Sequence, residues 1–446
     1  VGRTGHVPTR SEGETVVSDA MVFGVDRQVL TLSMARAADA VGNSFLIVVL
    51  PLYVASGVVS GTTFGLGEAL LTGVILSAFG LFNSALQPFA GRITDTVGRR
   101  KPFVLLGLGV LTLANFAYSL GSSYWALLAI RAAQGIGVAF TITASIALVN
   151  ELSTDTTRGG SMGTYNTFRL LGFGIGPIAA GTVVNGGPYT VLGVQMSGFE
   201  AAFYIAAVSA AISFLLVTVL VRDPDVERTH DPEGTSIAIL DHDAEGLLDP
   251  VFTLGVASLF MAIGIALLSA IEPSVNARLE QGATLFGIEF AAFVLVQVLV
   301  QTPIGRASDR YGRRPFILAG LVILAPVTVA EGLVVAPWQM IAARALQGLA
   351  AAMVFAPALA LAGDLTSEGS SGTQLSVLTM AFGLGTAIGP LASGFLIRYG
   401  YPIPFAFGGI LACVGVVLVY TQVHETIEGG GLAFLLDDVR GIIARS

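Results

Sequence analysis

Charged and amide side chains standing inside long apolar runs are the residues of this sequence with chemistry to offer. Arg36, Asp39 and Asn43 fall at i, i+3 and i+7 of one run, a spacing that a helix gathers on one face. Arg131 opens an Arg-x-x-Gln-Gly pattern with Gln134, and Arg344 opens a second copy with Gln347. Asn166 and Arg169 precede a glycine-rich stretch, Glu272 stands beside Pro273, and Glu289 shares a run with Gln297 and Gln301. A charge at the centre of a bilayer costs about 2.5–3.5 kcal/mol, so such a residue faces a cavity or a partner. For Asp39 two readings stand: neutralisation by Arg36 within the helix, or a place on a central cavity where it binds a proton or a cation. Arg131 either holds such an acid deprotonated or is a structural arginine bonded to the carbonyls of the first helix. Arg344 is its repeat. Glu272 and Glu289 lie nearer the outer end of their segments, either as rim residues in water or as alternative proton or cation sites. Arg36, Asn43, Gln134, Asn166, Arg169, Gln297, Gln301, Arg344 and Gln347 are the candidates to line a cavity, and Arg169 suits an anionic or polar group on whatever enters it.

The elements that must position these residues are transmembrane helices. Of 446 residues 54% are apolar and 12% charged, against roughly 25% charged in soluble domains, and the mean hydropathy is +0.79. A membrane helix needs about 20 apolar residues. That measure gives twelve: roughly 29–54, 68–90, 102–120, 124–149, 160–185, 199–221, 249–273, 284–304, 315–335, 337–362, 373–397 and 402–424. An even number puts both termini on one side. Sixteen of the 22 basic residues fall in the tails and the even-to-odd gaps, and only Arg278 and Arg398 in the opposite gaps. The positive-inside rule therefore places both termini in the cytoplasm of a cell (plasma) membrane protein. Residues 1–27 read as a disordered cytoplasmic tail, with Met21 as a candidate start. Residues 28–222 form a first six-helix bundle, 223–248 an Asp-, Glu- and Pro-rich cytoplasmic linker, and 249–424 a second bundle. In the tail 425–446, Leu432, Leu435, Leu436, Val439, Ile442 and Ile443 share one helical face. That tail is either a short helix on the inner membrane surface or disordered. The net charge is −8 and Lys101 is the only lysine, a balance that fits a salt-adapted organism.

The two bundles repeat one another. Arg131-Ala-Ala-Gln134-Gly135 matches Arg344-Ala-Leu-Gln347-Gly348, and the run Gly172 to Gly176-Pro177 matches Gly385 to Gly389-Pro390, both at an offset of 213 positions. Gly181 and Gly394 extend the second pattern, whose small residues let helices approach closely. Gly91, Asp95, Gly98, Arg99 and Arg100 form a further motif, repeated as Gly305, Asp309, Gly312, Arg313 and Arg314 in an equivalent place. Each copy is expected to form a loop between helices, its glycines providing tight turns and close helix approach.

This last motif resembles the loop signature of the major facilitator superfamily. The Arg-x-x-Gln-Gly pattern, the Gly-x-x-x-Gly-Pro run and the helix-one Gly42 followed by Leu50-Pro51 are similar to those of its twelve-helix drug:proton antiporters. The resemblance spans residues 28–424 and implies an all-α fold of two pseudo-symmetric six-helix bundles around a central cavity. It implies secondary transport by alternating access: proton-coupled export of a small molecule, working as a monomer in the lipid bilayer. Asp39, Arg131, Glu272 and Glu289 are then the proton-coupling candidates. Asp95 and Asp309 would latch onto the starts of the helices at Ser371-Gly372 and Gly159-Gly160 in the opposite halves, steadying the outward-facing state. Thr96 departs from the basic residue usual in the first copy, which puts that latch in doubt. A facilitative uniporter or an importer of a small polar solute is the rival reading, and a non-transporting receptor a third.

Other chemistry lacks its residues. One cysteine, Cys413, excludes an internal disulfide and a cysteine-based metal site. Asp241-His242-Asp243 reads as solvated linker rather than a metal site. No catalytic cluster, Walker phosphate loop, dinucleotide fingerprint or basic stripe for nucleic acid is present, so no enzyme, cofactor or metal is expected.

Overall fold

Runs too apolar for water form helices throughout this computed structural model, which describes residues 21–22, 25–63, 65–154, 157–191, 193–224, 247–365 and 371–427. In order they are α1 (Arg27–Ala55), α2 (Glu68–Val97), α3 (Lys101–Ala117), α4 (Tyr124–Glu151), α5 (Arg158–Gly186), α6 (Gly198–Leu220), α7 (Pro250–Ala266), α8 (Glu272–Leu279), α9 (Ala283–Tyr311), α10 (Arg313–Glu331), α11 (Pro337–Asp364), α12 (Ser371–Leu396) and α13 (Ile403–Gln422). Eleven spans among the described residues are long and apolar enough to cross a membrane, and α3 is a shorter apolar helix of 17 residues. Residues 1–20 and 23–24 of the expected N-terminal tail, 225–246 of the expected linker and 428–446 with the amphipathic face lie outside the described residues.

Local chemistry sets the helix ends. The Asp26 carboxylate accepts from the N–H groups of Gln28 and Val29, and Ser197 and Glu200 cap α6 reciprocally. Asp249 caps α7, with Pro250 at its first position. The apolar segment expected over 249–273 is not one helix. It passes from α7 through a 3₁₀ turn at Leu267–Ala270, and Glu272 begins the separate short helix α8, with Pro273 in its first turn, where a missing N–H costs nothing.

The loop signatures are mostly helical, which corrects the expectation of loops. Gly91 to Val97 belongs to α2 and Gly305 to Tyr311 to α9. Only the second glycine of each copy turns the chain: Gly98 at φ 69° and Gly312 at φ 102°, a region costly for L-residues with a Cβ. Gly91 and Gly305 make no close approach; a Cβ on either would meet nothing within 4 Å.

Within the first half α1 packs on α5 and α6, α2 on α4, and α3 on α4 and α6. The second half repeats this, α7 packing on α12 and α13, α9 on α11, and α10 on α11 and α13. The halves meet along α2–α12 and α5–α9. Their contact is nearly two-fold symmetric. A Cβ on Gly73 would stand 2.4 Å from the Pro390 carbonyl oxygen, and one on Gly287 2.3 Å from that of Pro177. Gly394 fits against Ala69, and Gly181 against Ala283, each at 2.3 Å by the same measure. Gly172 and Gly176 instead seat α5 on α1, at Ala37 and at Val41 and Ser44, while Gly385 and Gly389 seat α12 on α7.

These contacts between halves lie toward the ends of α2, α5, α9 and α12 away from the termini. There one apolar cluster joins both halves, with Leu50, Tyr53 and Leu76 from the first and Leu268, Phe286 and Phe405 from the second. Val275 and Leu279 of α8 are buried in the same cluster, so α8 plugs this far side. The glycine contacts between the halves nearest the terminal side are Gly174 on Val294 and Gly383 on Ser84, and Leu170, one turn beyond Gly174, still packs into the apolar core of the second half. Nearer the termini a Cβ on Gly159, Gly160 or Gly163 would meet nothing within 4 Å.

Candidate functional site

The helical period extends each contact line past its last contact. On α5 the line Gly181, Pro177, Gly174, Leu170 continues to Asn166. On α9 the line Ala283, Gly287, Phe290, Val294 continues to Gln297 and Gln301. All three side chains are half-buried, and they lie where the expected cleft between the halves would open. Arg169, one turn from Asn166, is half-buried too and donates from Nε (3.1 Å) and Nη2 (2.9 Å) to Asn166 Oδ1. The α2 line ends similarly, at Gln87, which donates to Asn83 at 3.2 Å. Gln87 and Asn83 were not expected from sequence. An amide pair at i, i+4 within an apolar run was their signal. Asn43 is half-buried on α1.

Other expected cavity residues lie elsewhere. Asp39 does not line the cleft: it is 4% exposed and ion-paired with Arg36, whose side chain is 11% exposed. Both face the interior of the first half, beside a small cavity that Thr141 and Ser145 of α4 also line. Arg131 is 2% exposed and touches neither Asp39 nor the cleft. It donates to Gln134 Oε1 at 3.1 Å and lies over the Phe79 ring. Gln134 accepts from the Tyr118 hydroxyl at 2.9 Å and donates to Asn115 at 2.6 Å. Gln134 is thus fully occupied inside the bundle.

The second half rebuilds this network with one change. Arg344 donates to Gln347, which donates to Thr328 at 3.2 Å, and Arg344 lies over Phe293. Thr328 stands 213 positions after Asn115. At the same offset from Tyr118 stands Glu331, 3.7 Å from Arg344 Nη1, both side chains wholly buried. Glu331 was missed from sequence, though an acid closing an apolar run at the repeat of a tyrosine was a readable sign. Arg344 and Gln347 therefore lie inside the half, not on the cleft. Glu272 and Glu289 are also wholly buried and not rim residues in water. Asn276 donates weakly to Glu272 at 3.4 Å. Both oxygens of Glu289 and of Glu331 lack hydrogen-bond partners. Arg344 thus pairs with Glu331 and lies within electrostatic reach of Glu289, while Glu272 neighbours Glu289 and has Asn276 as its hydrogen-bond partner.

On the terminal side the signatures hold their own halves together. Arg100 bonds Asp95 (2.6 Å) and Glu151 (2.8 Å), and Asp223 accepts from the backbone N–H groups of Arg100 and Lys101. Partial burial alone would lower the Arg100 pKa, but the two carboxylates outweigh it and hold the guanidinium above its ordinary value. Arg313 likewise joins Asp309 at 3.3 Å and pairs with Asp364, while Glu425 accepts from the Arg314 N–H at 2.9 Å. The expected latch from Asp309 to Gly159-Gly160 is not made among the described residues. Asp95 is 68% exposed, and Arg99 is exposed as well.

Two repeated six-helix bundles, joined along α2–α12 and α5–α9, define a multi-pass helical membrane protein. The sequence profile of the Major Facilitator Superfamily matches residues 32–248 and 254–431, and the chain belongs to that family. It is a transporter of small molecules and not an enzyme. The chain is 24% identical over 387 residues to the human chromaffin granule amine transporter, covering 85% of this chain and 70% of that protein. It is 27% identical over 179 residues to multidrug resistance protein 2 of Bacillus subtilis, covering 40% of this chain and 45% of the relative. Among solved structures, a bacterial homologue of the human lysosomal transporter Spinster, inward-facing and occupied, superposes with a TM-score of 0.68 at 16% identity, over 88% of this chain and 94% of that one.

Proposed function

We propose that this transporter exports a small molecule in exchange for protons, and that the proton site is the Glu272–Glu289–Glu331–Arg344 cluster. The observation that carries the reading is the make-up of that cluster: three wholly buried carboxyl groups, of which Glu331 stands 3.7 Å from Arg344, with no hydrogen-bond partner for either oxygen of Glu289 or Glu331. More than one ionised carboxylate beside the Arg344 guanidinium out of water would be strongly unfavourable, so on this reading the cluster holds protons and gives them up when its surroundings change. Glu289 is on α9, which forms the α5–α9 contact, so parting the halves on the far side would admit water to it. Coupling requires that proton and substrate favour different states of the carrier. Similarity to amine and multidrug transporters supports export. Basic residues gathered on the terminal side support cytoplasmic termini in the plasma membrane, which makes the open cleft inward-facing.

The test is proton release from purified protein in weakly buffered detergent on adding candidate compounds, beside pH-gradient-driven flux in proteoliposomes. Release is expected in the wild type, and its loss in Glu289→Gln or Glu331→Gln. Asp39→Asn, enclosed with Arg36 in the other half, should retain it. Substrate binding with no release between pH 6 and 8, together with flux indifferent to a pH gradient, would leave a uniporter in place of an antiporter.

A further inference from the structure

The first half holds the opposite imbalance. Arg36 and Arg169 lie within electrostatic reach of one another, with Asp39 the one carboxylate between them. Tyr165 reaches into the same group: it is 4% exposed, near Arg36, Asp39 and Arg169, and its hydroxyl has no hydrogen-bond partner, Ser145 lying close but outside bonding geometry. Arg36 Nε is likewise buried without a partner. Two guanidinium groups and an idle hydroxyl surround one carboxylate, so donors exceed acceptors. Arg169 and Asn166 are half-buried members of this group on α5, one to two turns toward the terminal side from the last glycine contact of α5 with the second half, Gly174 on Val294.

We propose that this group is the substrate-anchoring subsite and that it takes a carboxylate. Asn166 Oδ1 occupies Nε and Nη2 of Arg169, an edge that fits a carboxylate fork. An incoming carboxylate displaces the amide oxygen, with the Tyr165 hydroxyl available to its second oxygen and Arg36 supplying the longer-range charge. Lysine would keep the charge and lose the fork. The proposal rests on the cleft being the substrate path and not on the proton coupling.

The test uses the full chain purified in detergent, with benzoate, glutamate and citrate as probes and benzamide and benzylamine as neutral and cationic controls. Binding is read by thermal stabilisation and by calorimetry. At least one carboxylate is expected to bind the wild type ten-fold or more tightly than Arg169→Gln, with Arg169→Lys intermediate and both controls weaker than the carboxylate. Three results would overturn the subsite: no stabilisation by any carboxylate, equal affinity in wild type and a folded Arg169→Gln, or benzamide binding as well as benzoate. Should Arg169→Gln fail to fold, Arg169→Lys against wild type decides, since equal affinity there removes the fork. Carboxylate binding without proton release would end the coupling reading and leave the subsite standing.

Discussion

The buried arginines of the two halves occupy repeated positions but differ in what neutralises them. Arg131 meets a tyrosine, a glutamine and an aromatic face, while Arg344 meets Glu331 in the tyrosine's place. Removing a charge from a buried ionic group leaves its partners uncompensated, at a cost of about 3–5 kcal/mol. Arg344→Ala is therefore expected to lower the melting temperature of detergent-purified protein far more than Glu331→Gln, which keeps shape and removes one excess acid. Asp39→Asn should destabilise, and the added change Arg36→Gln should restore part of the loss. A double-mutant cycle reads this as a coupling of about 0.5–3 kcal/mol, and additivity would mean the pair is not an energetic unit. The sequence exposed these residues through their types: Asp39, Glu289 and the arginines stood out as charges in apolar runs. What it did not expose was direction. Arg36, Asp39 and Asn43 share a helical face by spacing, yet Arg36 and Asp39 pair inside the first half at 11% and 4% exposure, because where that face points depends on how α1 crosses α5 and α6.

At the scale of elements, the glycine motifs divide into those that carry a contact and those that do not. Gly73, Gly181, Gly287 and Gly394 bring backbone against backbone across the halves. A methyl group there overpacks the seal, at about 1–3 kcal/mol each. Gly287→Ala is expected to shift the carrier toward states open on the far side, read as increased labelling of a cysteine placed at Phe286 in a Cys413→Ser background. Unchanged labelling would mean that the seal tolerates the displacement. Gly91→Ala and Gly305→Ala meet open space inside helices and should stabilise by about 0.5–1 kcal/mol, whereas Gly98→Ala, at φ 69°, should cost about 1–2 kcal/mol. Thermal unfolding of the three variants separates these outcomes. Spacing made all these glycines look alike. The segments were legible from hydropathy to within a few residues except where α2 and α9 run on through the charged motifs to Val97 and Tyr311, and the break that creates α8 was not legible, since Ile271-Glu272-Pro273 is short and its helix is held in place by packing against α1 and α9.

For the whole molecule, the far end is closed by an apolar cluster that both halves share, and the polar side chains Gln87, Asn166, Arg169, Gln297 and Gln301 lie nearer the terminal side than the glycine contacts between the halves. Cysteines introduced at Gln297 or Gln87 should react with a membrane-impermeant maleimide applied from the terminal side and not from the far side, with protection by substrate. Equal labelling from both sides would contradict the closed end. The paired contacts of Gly73 with Pro390 and Gly287 with Pro177 carry a further consequence. Each half offers both a glycine notch and a proline carbonyl, so either half is complementary to a copy of itself by a two-fold axis. A chain cut between residues 225 and 246 should therefore reassemble from two co-expressed pieces.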